Sequence, residues 1–135
     1  MRKEKIRVLL IEPACHPKPY YLEPSIKAFR KAVRADRIKH GGLEAKKLDK
    51  NIYAIFNKDR FLANLEANRC IDGDIIAGNI YIVATDDKRF PISLTDKQIS
   101  RYALLFWDAE YFDEMDVAET NLNTMFSKFL KNDKF

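Results

Sequence analysis

The sequence predicts an α+β fold in which two or three helices pack on a largely antiparallel β-sheet. Short apolar runs that are rich in β-branched residues, at 6–12 and 74–84, have the composition of strands. Two other stretches repeat apolar residues at spacings of three and four after a helix-start signal. With only 4 Gly and 5 Pro among 135 residues, the chain has little room for a linker. These observations favour a single domain over residues 1–135.

The first four predicted strands lie in the N-terminal half of the chain. Residues 6–12 form a mostly apolar run that Pro13 ends, which is typical of a strand buried on both faces. Residues 20–23 give a second short strand after a proline-rich loop. Residues 43–48 and 51–57 flank a short turn, so we expect them to pair as an antiparallel hairpin whose first, more polar strand is an edge.

The longest apolar run, residues 74–84, is predicted to be the central strand of the sheet. Gly78 lies inside this run and indicates a bulge or a close approach of another part of the chain. Pro91 follows shortly afterwards, and because proline lacks the N–H that a strand ladder needs, it predicts an edge or the end of a strand. The order of the strands in the sheet is left open.

The first predicted helix begins at Ser25 and carries a basic outer face. Ile26, Phe29 and Val33 recur at spacings of three and four and are expected to face the core. We expect the helix to end at Gly41, which can take the left-handed conformation. Four basic residues of this helix lie away from the apolar face: Lys27, Arg30, Lys31 and Arg34.

The second predicted helix has the clearest local signal. Thr95 and Gln98 have the spacing of a capping box, and Leu94 can pack on Ile99 as a hydrophobic staple. Ile99, Tyr102, Ala103 and Phe106 then form its apolar face. A third helix is expected from about residue 116, so that residues 107–135 form a C-terminal helical extension.

Composition excludes several classes of protein. The N-terminal apolar run is too short for a secretory signal, and no segment approaches the ~20 apolar residues of a membrane span. The two cysteines, Cys15 and Cys70, are expected to be reduced thiols, because no disulfide framework can be recognised. We therefore expect a cytoplasmic protein without a membrane partner.

Charge is unevenly distributed along the chain. The net charge is +4, but residues 27–50 hold nine Lys or Arg against three acids, whereas residues 108–119 hold six acids and no base. A basic face can bind phosphates or anionic proteins. Lys27, Arg30, Lys31 and Arg34 are therefore the candidate residues for binding a partner or nucleic acid, although a solvated helix face has the same pattern.

The order and spacing of several short elements resemble a known family. They are "VLLIEP" at the start, "NRCIDGDIIAGNIYIV" in the middle and "FPISLTDKQISRY" before the second helix. Together they resemble the bacterial and phage family called domain of unknown function 3846, over about residues 6–106. The elements that carry the resemblance are Glu12, Pro13, Gly41, Gly42, Asn57, Asn68, Arg69, Gly78, Ser93 and Leu94. Residues 107–135 have no counterpart in the resemblance.

The resemblance implies a biological setting rather than a chemistry. It implies an accessory protein of phages, plasmids or conjugative elements, or of their hosts, and it supplies no catalytic residue. Glu12, Asn57, Asn68 and Arg69 are the candidate ligand-binding residues. Arg69 could clamp a phosphate or carboxylate, or pair with Glu12, and Asn57 could instead close a turn through its own backbone. The interpretation favoured for the polar stretch 56–70 is that it builds turns.

Motifs for metal, cofactor and covalent chemistry are weak. Cys15, His16, His40 and Cys70 lack the paired spacing of a zinc site, and no sequence feature places a thiol beside a base. We therefore expect no metal ligands, no cofactor and no catalytic residues. Aromatic side chains near the basic face could stack nucleobases, but aromatic residues at strand and helix spacings more often belong to the core or its margin.

Two functions from different classes remain. The first is a non-catalytic accessory protein that binds a protein or nucleic-acid partner, with homo-oligomerisation left open. The second is a small-ligand or nucleotide-binding protein, or an enzyme, with a polar pocket around Asn57, Asn68 and Arg69.

Overall fold

The computed structural model describes residues 4–37, 42–60 and 64–113. These residues form eight strands, two α-helices and one 3₁₀ turn at Ala35–Arg37. The strands are β1 (Ile6–Ile11), β2 (Lys18–Leu22), β3 (Leu43–Asp49), β4 (Ile52–Asn57), β5 (Ala67–Ile71), β6 (Asp74–Ala77), β7 (Ile80–Thr85) and β8 (Pro91–Ile92). The helices are α1 (Ile26–Ala32) and α2 (Asp96–Leu105).

The main sheet is antiparallel throughout and is ordered β2-β1-β7-β4-β3, with β8 paired to β7. The prediction of an α+β fold with a largely antiparallel sheet is confirmed. The hairpin of β3 and β4 is also confirmed, with β3 at an edge. The second edge is β2, which begins at Lys18 rather than at residue 20.

The predicted long strand is two strands. Gly78 takes a φ of +82° between them, so that β7 enters the centre of the main sheet while β6 pairs with β5 in a separate two-stranded sheet. The close approach expected at Gly78 is present, because a Cβ there would lie 2.7 Å from Leu65 Cδ1. Gly78 N–H also donates to Glu66 O at 2.7 Å.

The sheet has a hydrophobic core on each face. Successive residues of a strand point to opposite faces, so Val8 and Leu10 pack with Phe29 and Val33 beneath α1. Leu9 and Ile11 belong to the other core, which α2 and the β5–β6 hairpin cover. The described part of the chain therefore has three layers, and the main sheet is the middle one.

The start of α1 is as predicted, but its end is not. Ser25 caps it by accepting from Ala28 N–H at 3.1 Å. The helix ends at Ala32 because Arg34 takes a left-handed φ of 62° and donates its N–H to Lys31 O, so the expectation that it extends to Gly41 was wrong. Gly41 itself lies outside the described residues.

One residue that was assigned to the buried face of α1 is in solvent. Ile26 is 73% exposed, whereas Phe29 and Val33 are buried as expected. Ile26 is the first residue of the helix, one turn short of the contact with the sheet.

The capping box of α2 is confirmed. Thr95 Oγ1 accepts from Gln98 N–H at 3.2 Å, and Gln98 Oε1 accepts from Thr95 N–H at 2.8 Å. Tyr102 and Phe106 face the core, and Leu94 and Ile99 belong to the same cluster. The helix expected from about residue 116 lies outside the described residues. No helix in the described part of the chain has the length and apolarity to cross a membrane.

Candidate functional site

Four loops meet beside the end of α1 and enclose a cleft of about 250 Å³. It is lined by Glu12, Pro13, Cys15, Ala32, Val33, Arg34, Leu65, Glu66, Gly78 and Asn79. These residues follow β1, end α1, precede β5 and connect β6 to β7. The cleft therefore depends on segments that are far apart in the sequence.

Sheet register explains why the polar residues of this region are close together. Ile11 pairs with Ile80 across β1 and β7, and Ile55 pairs with Tyr81 across β4 and β7. The next positions along this end of the sheet are Glu12, Asn79 and Asn57. Three neighbouring strands thus bring a polar residue to one end of the sheet. The sequence did not reveal this, because the strand order was not predicted.

Asn68 is completely buried and lies behind the cleft rather than in it. Its Nδ2 donates to Ile11 O at 2.7 Å and to Gly78 O at 2.8 Å. Its Oδ1 accepts from Arg69 Nη1 at 2.9 Å. The amide therefore ties the end of β1 to the break between β6 and β7, which are two walls of the cleft.

Arg69 is also completely buried, and its guanidinium donates to oxygen atoms of the chain. Nε and Nη2 donate to Phe106 O at 3.3 and 3.1 Å, and Nη2 donates to Cys15 O at 2.6 Å. Nη1 donates to Asn68 O at 3.3 Å as well as to the Asn68 amide. Burial lowers the pKa of Arg69. Arg69 joins the wall at Cys15 to the end of α2.

The pairing of Arg69 with Glu12 that the sequence suggested is not formed. Glu12 Oε1 instead accepts from Lys18 Nζ at 3.0 Å on the surface. The hydrogen bond that Lys18 donates to Glu12, followed by the negative charge of Glu12, raises the pKa of Lys18. Glu12 is half-buried and is one of the residues that line the cleft.

Asn57 forms a turn and holds the third wall of the cleft. Its Oδ1 accepts from Asp59 N–H at 2.7 Å, which is the local backbone bond expected of an Asn after a strand. Its Nδ2 donates to Val33 O at 3.1 Å. Only 1% of the residue is exposed. Asn57, Asn68 and Arg69 therefore shape the cleft by holding the backbone of its walls, and only Glu12 of the four candidate ligand-binding residues lines it.

The polar stretch 56–70 contains a second buried guanidinium. Arg60 is 4% exposed, lies over the Phe56 ring at 5.1 Å and contacts Glu44 Oε1 at 3.5 Å. Its Nε donates to Ile75 O at 3.4 Å. Like Arg69, it connects the strands around it. The residues at 61–63 lie outside the described part of the chain.

Three residues in or beside the walls of the cleft have left-handed backbone. Ala14 has a φ of 61° and Arg34 a φ of 62°, in addition to Gly78. Such conformations are uncommon for residues with a Cβ and persist only where surrounding bonds hold them. Here backbone oxygens in or next to these residues accept hydrogen bonds from the buried side chains. Arg69 donates to Cys15 O, Asn57 to Val33 O and Asn68 to Gly78 O.

The basic residues of α1 lie together and reach the cleft. Lys27, Lys31 and Arg34 are exposed and follow one another at intervals of about one turn, while Arg30 is half-buried. Within residues 4–37, 42–60 and 64–113, none of Lys27, Lys31 and Arg34 forms an ion pair. Arg34 also lines the cleft. We call Lys27, Arg30, Lys31 and Arg34 the basic row.

Tyr81 lies beneath the region where the basic row meets the cleft. Its hydroxyl donates to Ala32 O at 3.4 Å, and its ring is 6.0 Å from that of Tyr20, which is 40% exposed. Burial raises the pKa of Tyr81 to about 12. The hydroxyl is therefore protonated at neutral pH.

The residues considered for metal binding are not assembled in the described structure. Among the described residues no group of three or more His, Cys, Asp or Glu could hold a metal ion. His16 stacks on Trp107 with ring centroids 4.0 Å apart, and its Nδ1 is 2.6 Å from Trp107 O. Cys15 and Cys70 are exposed free thiols. His40 lies outside the described residues.

Sequence reasoning did not single out Asn79 or Glu66, which line the cleft, although Asn79 lies within the stretch 68–83 that carries the family resemblance. The available signal was Gly78, because a glycine that breaks an apolar run directs attention to its neighbours. Glu66 had no comparable signal.

Comparison with known families decides what this chain is related to. The model of the family described as Domain of unknown function (DUF3846) matches residues 6–106. The chain belongs to this family. No curated protein and no solved structure matches it. The matched residues include β1 to β8, α2 and every residue that lines the cleft. The family match therefore covers the cleft and excludes residues 107–135.

Proposed function

We propose that the protein is a non-catalytic binding protein whose partner is nucleic acid, with the basic row contacting phosphates. The observation that carries this proposal is the exposed series Lys27, Lys31 and Arg34, whose members form no ion pair among the described residues. A phosphate can approach these cations without breaking an internal ion pair. Their summed field favours an anionic chain over a single small anion.

The position of Arg34 supports a nucleic-acid partner over a featureless polyanion. Arg34 belongs both to the basic row and to the lining of the cleft. A nucleic acid carries bases beside its phosphates, so it can use both features at once. Exposed Tyr20, whose ring is near Tyr81 on the same side of the sheet, offers an aromatic face for stacking.

The family likeness supports a biological setting for this proposal. We propose that the protein acts in the cytoplasm as an accessory protein of phages, plasmids or conjugative elements, or of their hosts. Nucleic acid is the substance that such elements transfer and protect, which makes it a reasonable partner for a small basic protein.

The absence of a buried, unbonded polar side chain around the cleft favours binding over catalysis, since in the described part only Thr85 Oγ1 is buried without a partner.

Fluorescence anisotropy with a short labelled single-stranded oligonucleotide tests the proposal. Each phosphate that a single strand contacts contributes about −0.7 to the slope of log K against log salt. Three contacts give a slope of about −2, so affinity should fall about 20-fold between about 50 mM and about 200 mM salt.

A triple variant and a matched control locate the contacts. The variant Lys27→Ala, Lys31→Ala, Arg34→Ala should lose most of the affinity and most of the salt slope. The control Lys50→Ala, Lys88→Ala, Lys97→Ala removes the same charge from exposed positions away from the cleft. It should retain both affinity and slope.

Two results would overturn the proposal. Absence of binding at about 50 mM salt would do so, and would leave an anionic protein as the partner to seek. Equal loss of affinity in the variant and in the control would show that only net charge matters and that the basic row is not the contact surface.

A further inference from the structure

The cleft has the volume of a site for one small group. At about 250 Å³ it is smaller than the ~300–1,000 Å³ pockets that hold drug-sized ligands. Its walls include the apolar groups of Pro13, Val33 and Leu65. A single ring system can lie between such walls, whereas a whole dinucleotide cannot enter.

The polar groups of the cleft define which ring system fits. Two of the lining residues, Glu12 and Glu66, have carboxylates, which accept hydrogen bonds, and Asn79 has an amide that also hydrogen-bonds Tyr81. Carboxylates accept hydrogen bonds from the exocyclic amino groups of bases, as in the contact with cytosine N4. They disfavour the carbonyl oxygen that uracil and thymine present at the same position, because two acceptors then face each other.

We propose that the cleft holds one unpaired nucleobase with an exocyclic amino group, and that Glu12 accepts the hydrogen bond from that group. This inference rests on the proposed function, since the base belongs to the strand whose phosphates lie along the basic row. Arg34 lies where the two features meet and directs the phosphate next to the bound base. A base in a duplex has its amino group paired, so the site requires a single strand or a loop.

The cleft is held ready for such a ligand. Its walls are fixed by the bonds from Asn57 to Val33 O, from Asn68 to Ile11 O and Gly78 O, and from Arg69 to Cys15 O. These bonds hold the backbone of the walls, so little backbone has to be ordered on binding, which reduces the entropy lost. Glu12 needs only to share its carboxylate between Lys18 and the base, since one carboxylate accepts several hydrogen bonds.

Labelled oligodeoxycytidine and oligodeoxyuridine of equal length test the inference at a pH where cytosine is unprotonated. The two strands have identical backbones. Their bases differ at ring atom N3 and in the group attached to position 4. The wild-type protein should bind oligodeoxycytidine at least about fivefold more tightly, with the same salt slope for both strands. The corresponding base-paired duplex should show no such preference.

Two single variants separate the carboxylate from its salt bridge. Glu12→Ala removes the acceptor and should abolish the preference for oligodeoxycytidine, while the salt slope stays as in the wild type. Lys18→Ala also breaks the Glu12–Lys18 pair, but it leaves the carboxylate in place. It should retain the preference. Both residues are at least partly exposed, so neither change removes core packing.

The outcomes distinguish this inference from the proposed function. Binding with the expected salt slope but with equal affinity for both strands would overturn the base site and leave the phosphate contacts standing. Retention of the preference in Glu12→Ala would overturn the assignment of Glu12. Absence of binding to either strand at low salt would overturn the proposed function itself, and the base site with it.

Discussion

Replacing Arg69 with methionine should destabilise the protein by about 3 kcal/mol. Methionine has a similar length but no donors, so Phe106 O, Cys15 O and both oxygens of Asn68 lose the bonds that Arg69 now donates. An unsatisfied buried acceptor costs about 1–3 kcal/mol. Four acceptors at the lower end give about 4 kcal/mol, and relief from burying the guanidinium charge offsets part of this.

Urea unfolding followed by circular dichroism measures the effect. With a slope of about 1.5 kcal/mol/M, a loss of about 3 kcal/mol lowers the midpoint by about 2 M. The matched control is Arg89→Met, since Arg89 lies exposed in the turn between β7 and β8. The free energy of unfolding of Arg89→Met should stay within about 0.5 kcal/mol of the wild-type value.

A small effect of Arg69→Met would refute the reasoning. If the free energy of unfolding of the variant fell by less than about 1 kcal/mol, water or rearranged backbone groups would be hydrogen-bonding the four oxygens in place of the guanidinium at little cost. The view that Arg69 fixes the walls of the cleft would then fail. An equal loss in Arg89→Met would refute it too, because the effect would follow from removing any arginine.

Three further predictions concern backbone conformation, pH and capping. Gly78→Ala should cost about 1 kcal/mol more than Gly73→Ala in urea unfolding, since both have a positive φ but only the Cβ at Gly78 meets Leu65, whose partly exposed side chain lies 2.7 Å away and has to shift. Because burial raises the pKa of Tyr81 from its ordinary 10.0 to about 12, the folded state favours the protonated hydroxyl. The contribution of Tyr81 to the free energy of unfolding is thus fully present below pH 10 and falls by up to about 2.7 kcal/mol as pH rises to 12 and above. In unfolding measured as a function of pH, Tyr81→Phe should not show this loss. Thr95→Ala should cost about 1 kcal/mol in thermal or urea unfolding, because it removes the cap of α2.

Local signals predicted the elements whose causes are local. The capping box of α2, the start of α1 and the hairpin of β3 and β4 each depend on residues a few positions apart, and all three are present. The predicted end of α1 was wrong because Gly41 offered a strong stop signal, whereas the helix ends at Ala32, just before Arg34 takes a left-handed conformation that arginine rarely adopts. No propensity could have indicated it.

The arrangement of the cleft could not be predicted because it depends on strand order. Asn57 and Asn68 were identified as candidates, but their roles require β7 to lie between β1 and β4. That order places Ile11 O beside Gly78 O, where a single buried amide can bond both. A sequence shows that an asparagine follows a strand, and only the assembled sheet shows which carbonyl it reaches.

The side chains buried behind the cleft and the side chains that line it affect different properties of this protein. Asn57, Asn68 and Arg69 donate to wall carbonyls, so their bonds exist in the folded chain whether or not a ligand is bound. The shape of the cleft is therefore part of the folding free energy, and it does not have to be created by the ligand. Glu12 is half-buried and, among the described residues, its ion pair is with Lys18 at the surface, where such a pair contributes little to stability. Under the proposed function, changes behind the walls should therefore act on stability and affinity together, whereas a change at Glu12 should act on the choice of ligand alone.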